Sequence, residues 1–260
     1  MELLLHTLLF RWYVFLFWGT GLLVLSRAAG PGGAILRYGL AYALAYACEY
    51  SSSRPGGWFP FGYYEYLPTT LDKEVWIGPV PLMDSLSFAF LMVASLGTVA
   101  RIEGSGLGEL LSAPFRERWS SLCLAVIFFV AIDVVIDPAS LRGSQWFLGH
   151  IYDYPGGGMY FGVPVSNFIG WGVVGILILA AWRATPIFPI SAASGKKTLF
   201  DRLGPVALYM SVYLFNMGIA IWIGEWNLAL ADLGVGGMLA FIGLARRRVL
   251  HTMEMGGSLR

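Results

Sequence analysis

The chain is short of charge. Of its 260 residues only 13% are Asp, Glu, Lys or Arg, against 57% hydrophobic, and the formal net charge is +1. Soluble domains carry roughly 25% charged residues. A chain this poor in charge cannot clothe a water-facing surface, so a bilayer is its natural solvent. The small net charge excludes the basic field that nucleic-acid binding needs. Cysteine is scarce as well: Cys48 and Cys123 both fall inside apolar stretches, which excludes a disulfide framework and a cysteine zinc site. The three histidines, His6, His150 and His251, stand far apart and form no H-x-x-x-H or H-E-x-x-H pattern. No protein-built zinc site is expected, although carboxylates alone could hold a hard cation. No polar stretch is long enough for a solvated domain, so residues 1–260 are expected to form a single integral membrane domain.

What the chain does have is apolar runs. Seven lie near 8–26, 34–50, 79–100, 119–137, 160–182, 204–224 and 227–245, each close to the length of about 20 residues that spans a bilayer. The expected fold is all-α, a polytopic membrane bundle of about seven transmembrane helices. The first run lacks a short basic start and an A-x-A cleavage site, so it reads as a retained helix. Only GEW (224–226) separates the last two runs. Lys and Arg fall 13 to 4 between the two ends of such a bundle. The richer end holds Arg27, Arg101, Arg183, Lys196, Lys197, the run 246–248 and Arg260 among others. The poorer end holds Arg11, Arg54, Lys73 and Arg142. This bias predicts a C-terminus in the cytoplasm and an N-terminus outside. Two long aromatic loops, roughly 51–78 and 138–159, then lie on the outer side of the cytoplasmic membrane.

Those loops belong to a repeat. Residues 49–66 read EYSSSRPGGWFPFGYYEY and residues 137–154 read DPASLRGSQWFLGHIYDY. At an offset of 88 they share six identities and two acid-for-acid matches in 18 positions, without a gap. Glu49 falls on Asp137, Trp58 on Trp146, Tyr64 on Tyr152, Glu65 on Asp153 and Tyr66 on Tyr154. Five residues of slack later, PVPLMD (79–84) matches GVPVSN (162–167) and pairs Asp84 with Asn167. Each copy, about 38–100 and 126–182, holds two helices, so the copies face the same way, as in repeats related by an axis along the membrane normal. A weaker third echo places Glu225 at the end of the sixth run.

Acids inside or near hydrocarbon cost about 2.5–3.5 kcal/mol each on insertion scales, so each has a reason to be there. Structural glue is one reading. Asp84, just after Pro81, could simply cap its helix. Asp133 and Asp137 are four residues apart, hence on one helical face, and two carboxyl groups that close cannot both ionise cheaply. One then keeps a proton that it can donate. Tyr38, Tyr42, Tyr46 and Tyr50 step by four along the second run; Tyr38 and Tyr50 read as packing or interfacial belt. Trp58, Trp146, Tyr64 and Tyr152 recur at fixed offsets from an acid in both copies, which belt anchoring does not require. Gly39, Ala43 and Ala47 form a small-residue stripe of the kind that packs helices closely. The glycines of GSGLG (104–108) and GGG (156–158) lack the strand or helix context of a phosphate site.

The second copy carries a resemblance. Its D-P, Trp-containing loop and YFGVPVSNFIGW (160–171) resemble the membrane carotenoid-biosynthesis family, which includes hydratases acting on bisanhydrobacterioruberin and γ-carotene. The likeness covers about residues 40–180. The first copy departs from it, with PVPLMD in place of G-V-P-L and Phe88 where Trp171 stands in the second copy. The resemblance implies hydration of a terminal C1–C2 double bond on a long polyene. That reaction needs an acid, a cation-tolerant wall and a controlled water, and no cofactor. On this reading Asp137 donates the proton beside Asp133, Glu49 positions the water, and Asn167, Asp84 and Glu225 orient water or carboxyl. Trp58, Trp146, Tyr64, Tyr152, Trp171, Glu65 and Asp153 line the substrate. The expected partners are a carotenoid within the bilayer, membrane lipid and other carotenoid-pathway membrane enzymes. Three alternatives stand beside it: a small-solute or proton transporter with intramembrane carboxylates, a non-catalytic carotenoid-binding partner, and an isoprenoid isomerase using the same acid without water capture.

Overall fold

The computed structural model describes residues 2–185 and 198–257. Lys196, Lys197 and Arg260, which entered the charge count, lie outside them. The described residues are a helical bundle, and each of the seven apolar runs is helical. A short helix, α1 (Glu2–Phe10), breaks at Arg11 and is followed by α2 (Trp12–Ala29) and α3 (Pro31–Ser53). After the first aromatic loop come α4 (Leu82–Ile102), the short α5 (Leu107–Ser112) and α6 (Phe115–Leu141). The second loop leads to α7 (Val165–Ala184), α8 (Leu199–Trp222) and α9 (Trp226–Gly257).

Local chemistry marks the boundaries. Gly30, at φ 77, turns the chain between α2 and α3, and Pro31 opens α3 at a position where its missing N–H costs nothing. Thr198 and Asp201 close a capping box on α8: the Thr198 hydroxyl accepts from the Asp201 N–H and the Asp201 carboxylate accepts from the Thr198 N–H. Gly224, at φ 79, reverses the chain between α8 and α9, so the three residues Ile223, Gly224 and Glu225 suffice as a connection.

Six helices are long and apolar enough to cross a membrane: α2, α4, α6, α7, α8 and α9. With α3, 23 residues long, the described residues hold the seven long helices expected. The run at 34–50 does form α3, but its four tyrosines, Arg37 and Glu49 hold its hydropathy too low for the same composition test. The first run also begins differently from expectation. Arg11 leaves helical geometry at φ −109 and ψ 29, which separates α1 from α2.

α4 is the centre of the bundle. It packs against α2, α3, α6 and α8, and 78% of its apolar window is buried, against 22% for the peripheral α9. α3 packs on α4 and α7, and α6 packs on α4 and α7, so these four helices form a closed ring. The small-residue stripe faces the wrong way for the packing expected of it. Gly39, Ala43 and Ala47 are exposed, while α3 enters the core through Ala34, Tyr38, Ala41 and Ala45. Tyr38 does pack inside and donates its hydroxyl to the Trp18 carbonyl at 3.3 Å, and Tyr50 is exposed.

The two aromatic loops close one end of the ring. Strand β1 (Glu65–Tyr66) of the first loop pairs antiparallel with β4 (Tyr152–Asp153) of the second, setting Glu65 opposite Asp153 and Tyr66 opposite Tyr152. Thr69 donates its hydroxyl to the His150 carbonyl at 2.7 Å, and the Leu67 N–H bonds the Ile151 carbonyl at 2.8 Å. A second hairpin, β2 (Trp76–Ile77) with β3 (Val80–Pro81), leads into α4. Gly170 on α7 lets the first loop lie directly on the helix, because a Cβ there would sit 2.5 Å from the Phe61 ring.

Candidate functional site

Beneath the paired strands lies a cavity of about 160 Å³. Glu49, Asp84, Asp133, Asp137 and Asn167 all line it. They come from α3, α4, α6 and α7, the four helices of the ring, so residues 49 to 167 converge on one hollow. On α6, Asp133 and Asp137 sit one turn apart. The Asn167 side-chain amide donates to both, at 2.9 Å to Asp133 and 2.8 Å to Asp137. Asp137 also accepts from the Tyr154 hydroxyl at 2.8 Å and from the Tyr152 hydroxyl. Asp137 therefore has three donors and Asp133 has one, the amide that they share.

Across the cavity, Glu49 accepts from the Ser85 and Tyr66 hydroxyls, the latter at 3.3 Å. The Tyr64 hydroxyl reaches that of Tyr66 at 3.4 Å, extending the chain of polar groups along the roof. Asp84 does not cap α4: Pro81 occupies the cap position and no side chain closes it. Asp84 faces the cavity instead.

The tyrosines enter by strand alternation. Successive side chains in a strand point to opposite faces. In Y-E-Y (64–66) and Y-D-Y (152–154) the flanking rings therefore point in and the central acid points out. Tyr64, Tyr66, Tyr152 and Tyr154 line the cavity, while Glu65 is half-buried beside the Tyr63 hydroxyl and Asp153 is exposed. Burial, followed by the neighbouring carboxylates, holds all four phenols well above their ordinary range. They remain hydroxyl donors at any physiological pH.

Much of the rest of the wall is aromatic. Trp171 stacks on Phe88 with centroids 4.3 Å apart and planes at 13°, and Phe129 closes against Trp171 at 5.0 Å. Trp146 lines the cavity with its indole N–H bonded to the Ala139 carbonyl at 2.9 Å. Arg11 completes the rim. Its guanidinium, 1% exposed, makes a two-pronged pair with Glu74 at 2.5 and 2.8 Å and donates to the Leu148 carbonyl at 3.0 Å. The break between α1 and α2 turns this side chain inward, where it ties the N-terminal helices to both aromatic loops.

Four residues picked from the sequence stand away from the cavity. Trp58 is 69% exposed. Glu65 and Asp153 point out by the alternation just described. Glu225 is held by Arg142 at 2.5 Å, joining the second loop to the turn between α8 and α9. Conversely, sequence reasoning passed over Arg11, Tyr66, Tyr154 and Asn216, which all line the cavity. For the two tyrosines the signal was present, as the period-two alternation of Y-E-Y and Y-D-Y. For Arg11 and Asn216 nothing local marks them out.

The fold and the site together define a class: a multi-pass integral membrane protein with buried carboxyl groups in an aromatic cavity at one end of the bundle. Residues 3–239 match the family model described as carotenoid biosynthesis protein, and the chain belongs to that family. No curated protein and no solved structure matches it.

Proposed function

We propose that the protein is a carotenoid hydratase, adding water across the terminal C1–C2 double bond of an acyclic or monocyclic carotenoid held in the bilayer. The observation that carries this reading is the Asp133–Asn167–Asp137 cluster, with Tyr152 and Tyr154 on Asp137, inside a cavity walled by aromatic rings. Asp137 delivers its proton to C2, forming the C2–H bond and leaving a tertiary cation at C1. The two tyrosine hydroxyls and the Asn167 amide then face a carboxylate, so they bind the group more strongly after proton transfer than before. Interactions that strengthen along the reaction lower its barrier. Asp133, one turn deeper, keeps the pair at a single shared proton beforehand.

The cation at C1 lies among the faces of Trp171, Tyr64 and Tyr152, and a desolvated cation–π contact contributes about 2 kcal/mol. Water then bonds to C1, and the resulting oxonium loses a proton to Glu49, opposite Asp137. Proton exchange between Glu49 and Asp137 resets the site, so the cycle consumes only water and uses no cofactor. Acid–base assistance of this kind is typically worth about 10²–10⁴-fold.

The same reading includes the duplication. We infer two copies, about 38–100 and 126–182, in one domain, related by a pseudo-twofold axis along the membrane normal. It is supported by β1 pairing with β4 at Glu65 and Asp153, by the matched bonds Tyr66–Glu49 and Tyr154–Asp137, and by Phe88 stacking on Trp171. The basic end is assigned to the cytoplasm and the aromatic loops to the outside. Other carotenoid-pathway membrane enzymes would then supply and remove the pigment.

The test is expression in a lycopene-producing host with pigment analysis by mass. A gain of one or two waters is expected from the wild type, and none from Asp137→Asn in a folded, membrane-inserted chain. Unchanged pigment with the wild type would exclude hydration, and full turnover by Asp137→Asn would remove Asp137 from the mechanism.

A further inference from the structure

A second hollow, of about 530 Å³, lies among α4, α6, α8 and α9. On α4 it is bounded by Thr98, Arg101 and Ile102, whereas the cavity described above takes Asp84 from the start of the same helix. Asp84 and Arg101 are 17 residues apart, which at 1.5 Å per residue is about 25 Å along the helix. The two hollows therefore sit at opposite ends of the bundle, near opposite surfaces of a bilayer. This one is at the basic end.

Its walls are mostly apolar, with Phe128, Leu203, Met210, Leu239 and Leu244 among them. Leu203, Met210 and Leu244 are exposed, so the rim opens towards hydrocarbon. Polarity gathers at one end. Thr98 and Arg101 stand three residues apart on one face of α4, and Arg247 approaches from α9. The Thr98 hydroxyl, in a residue 7% exposed, and the Arg101 Nε are both buried with no hydrogen-bond partner among the described residues. Tyr209 and Tyr213, by contrast, spend their hydroxyls on the Phe128 and Asp232 carbonyls. Nor does an acid neutralise this corner. Glu103 is taken by Arg246 at 2.8 Å and by the Ser121 hydroxyl at 2.7 Å, and neither Arg101 nor Arg247 is in an ion pair among the described residues.

Buried donors without acceptors are costly, and these point into a greasy slot that opens to lipid beside two unpaired arginines. We propose that this hollow is a binding site for an anionic phospholipid. The acyl chain lies in the slot between α8 and α9. The headgroup phosphate meets the Arg101 and Arg247 guanidinium groups. Thr98, one turn deeper than Arg101, donates to an ester or glycerol oxygen. Basic pockets between helices at the cytoplasmic surface hold anionic headgroups in this way. The site does not depend on the reaction proposed for the other cavity.

The test uses the full chain, purified in detergent and reconstituted in bicelles. Phosphatidylglycerol and phosphatidylcholine with identical acyl chains are titrated, reading thermal stability and retained lipid by native mass spectrometry. Phosphatidylglycerol should bind about thirtyfold more tightly, from two arginines at the surface, and Tm should rise with its mole fraction. Arg247→Gln, at an exposed position, should lose most of that preference. Thr98→Val should weaken lipid retention, and Arg116→Gln, outside the hollow, should change neither. Equal binding of the two lipids would overturn the proposal. So would a preference that survives Arg247→Gln together with Arg101→Gln, or that falls equally with Arg116→Gln. Equal protection by glycerol phosphate alone would reduce the site to one for a free anion and overturn it as a lipid site.

Discussion

A carboxylate's neighbours decide what it can do, and Asp137 has the richest set among the acids of the cavity. Tyr152, Tyr154 and Asn167 all donate to it. Hydrogen bonds to a charged group are worth about 1.5–3 kcal/mol. Tyr154→Phe removes one of them while keeping the ring, and should lower turnover roughly 10- to 100-fold at that strength. Glu65→Gln, Asp153→Asn and Trp58→Ala alter residues that point away, and should leave turnover within about twofold. Pigment conversion per unit of membrane-inserted protein measures all four. A large loss at Glu65 or Asp153 would mean that the strands present their other face to the substrate. Much of this was legible beforehand. The acids Glu49, Asp84, Asp133 and Asp137 stood out because hydrocarbon makes them expensive, and all four reach the cavity. The direction of the tyrosines was not, because in Y-E-Y the acid drew attention and the strand period was left unused.

Between elements, the joints carry the information. Arg11 and Glu74 lie 63 residues apart, in stretches without repeat or motif, so no local pattern could pair them. Their pairing sits at the break between α1 and α2 and, with the bond to the Leu148 carbonyl, joins that break to both loops. Removing one partner of a buried ion pair costs about 3–5 kcal/mol, whereas replacing both with apolar residues of similar volume is often neutral. Arg11→Met alone should therefore lower thermal stability in detergent sharply. Arg11→Met with Glu74→Leu should recover most of it. If the double variant were no more stable than the single one, the arginine would be acting through its contact with the Leu148 carbonyl instead. Gly170→Ala tests a second joint. It would press a methyl group into Phe61, displace the first loop and reduce turnover through Tyr64 and Tyr66, while Gly39→Ala, where nothing lies within 4 Å, should be silent. Helix positions were readable to within a few residues because length and hydropathy dictate them.

For the molecule as a whole, the uneven placement of Lys and Arg makes orientation testable. A cysteine introduced at Glu65 should react with a membrane-impermeant thiol reagent added outside intact cells. One at Arg248 should react only after permeabilisation. The native Cys123 is exposed and should be replaced beforehand, whereas Cys48 is buried. The reverse pattern would invert the assignment and put the aromatic loops in the cytoplasm. The family, the bundle and the repeat pattern were all within reach of the sequence. The meeting of the two repeated stretches edge to edge over one hollow was not, because an offset in sequence carries no distance.

The strand pair over the cavity has one more consequence. Both halves of the molecule contribute to a single chamber beneath it, so among the described residues the two repeats share one seat at this end of the bundle. A pigment with identical tips can present only one of them per visit. On the proposed hydration, finishing the second requires it to back out, turn end for end in the bilayer and dock afresh. A time course on such a pigment should therefore show the lopsided, once-hydrated form rising first and draining later into the symmetric product.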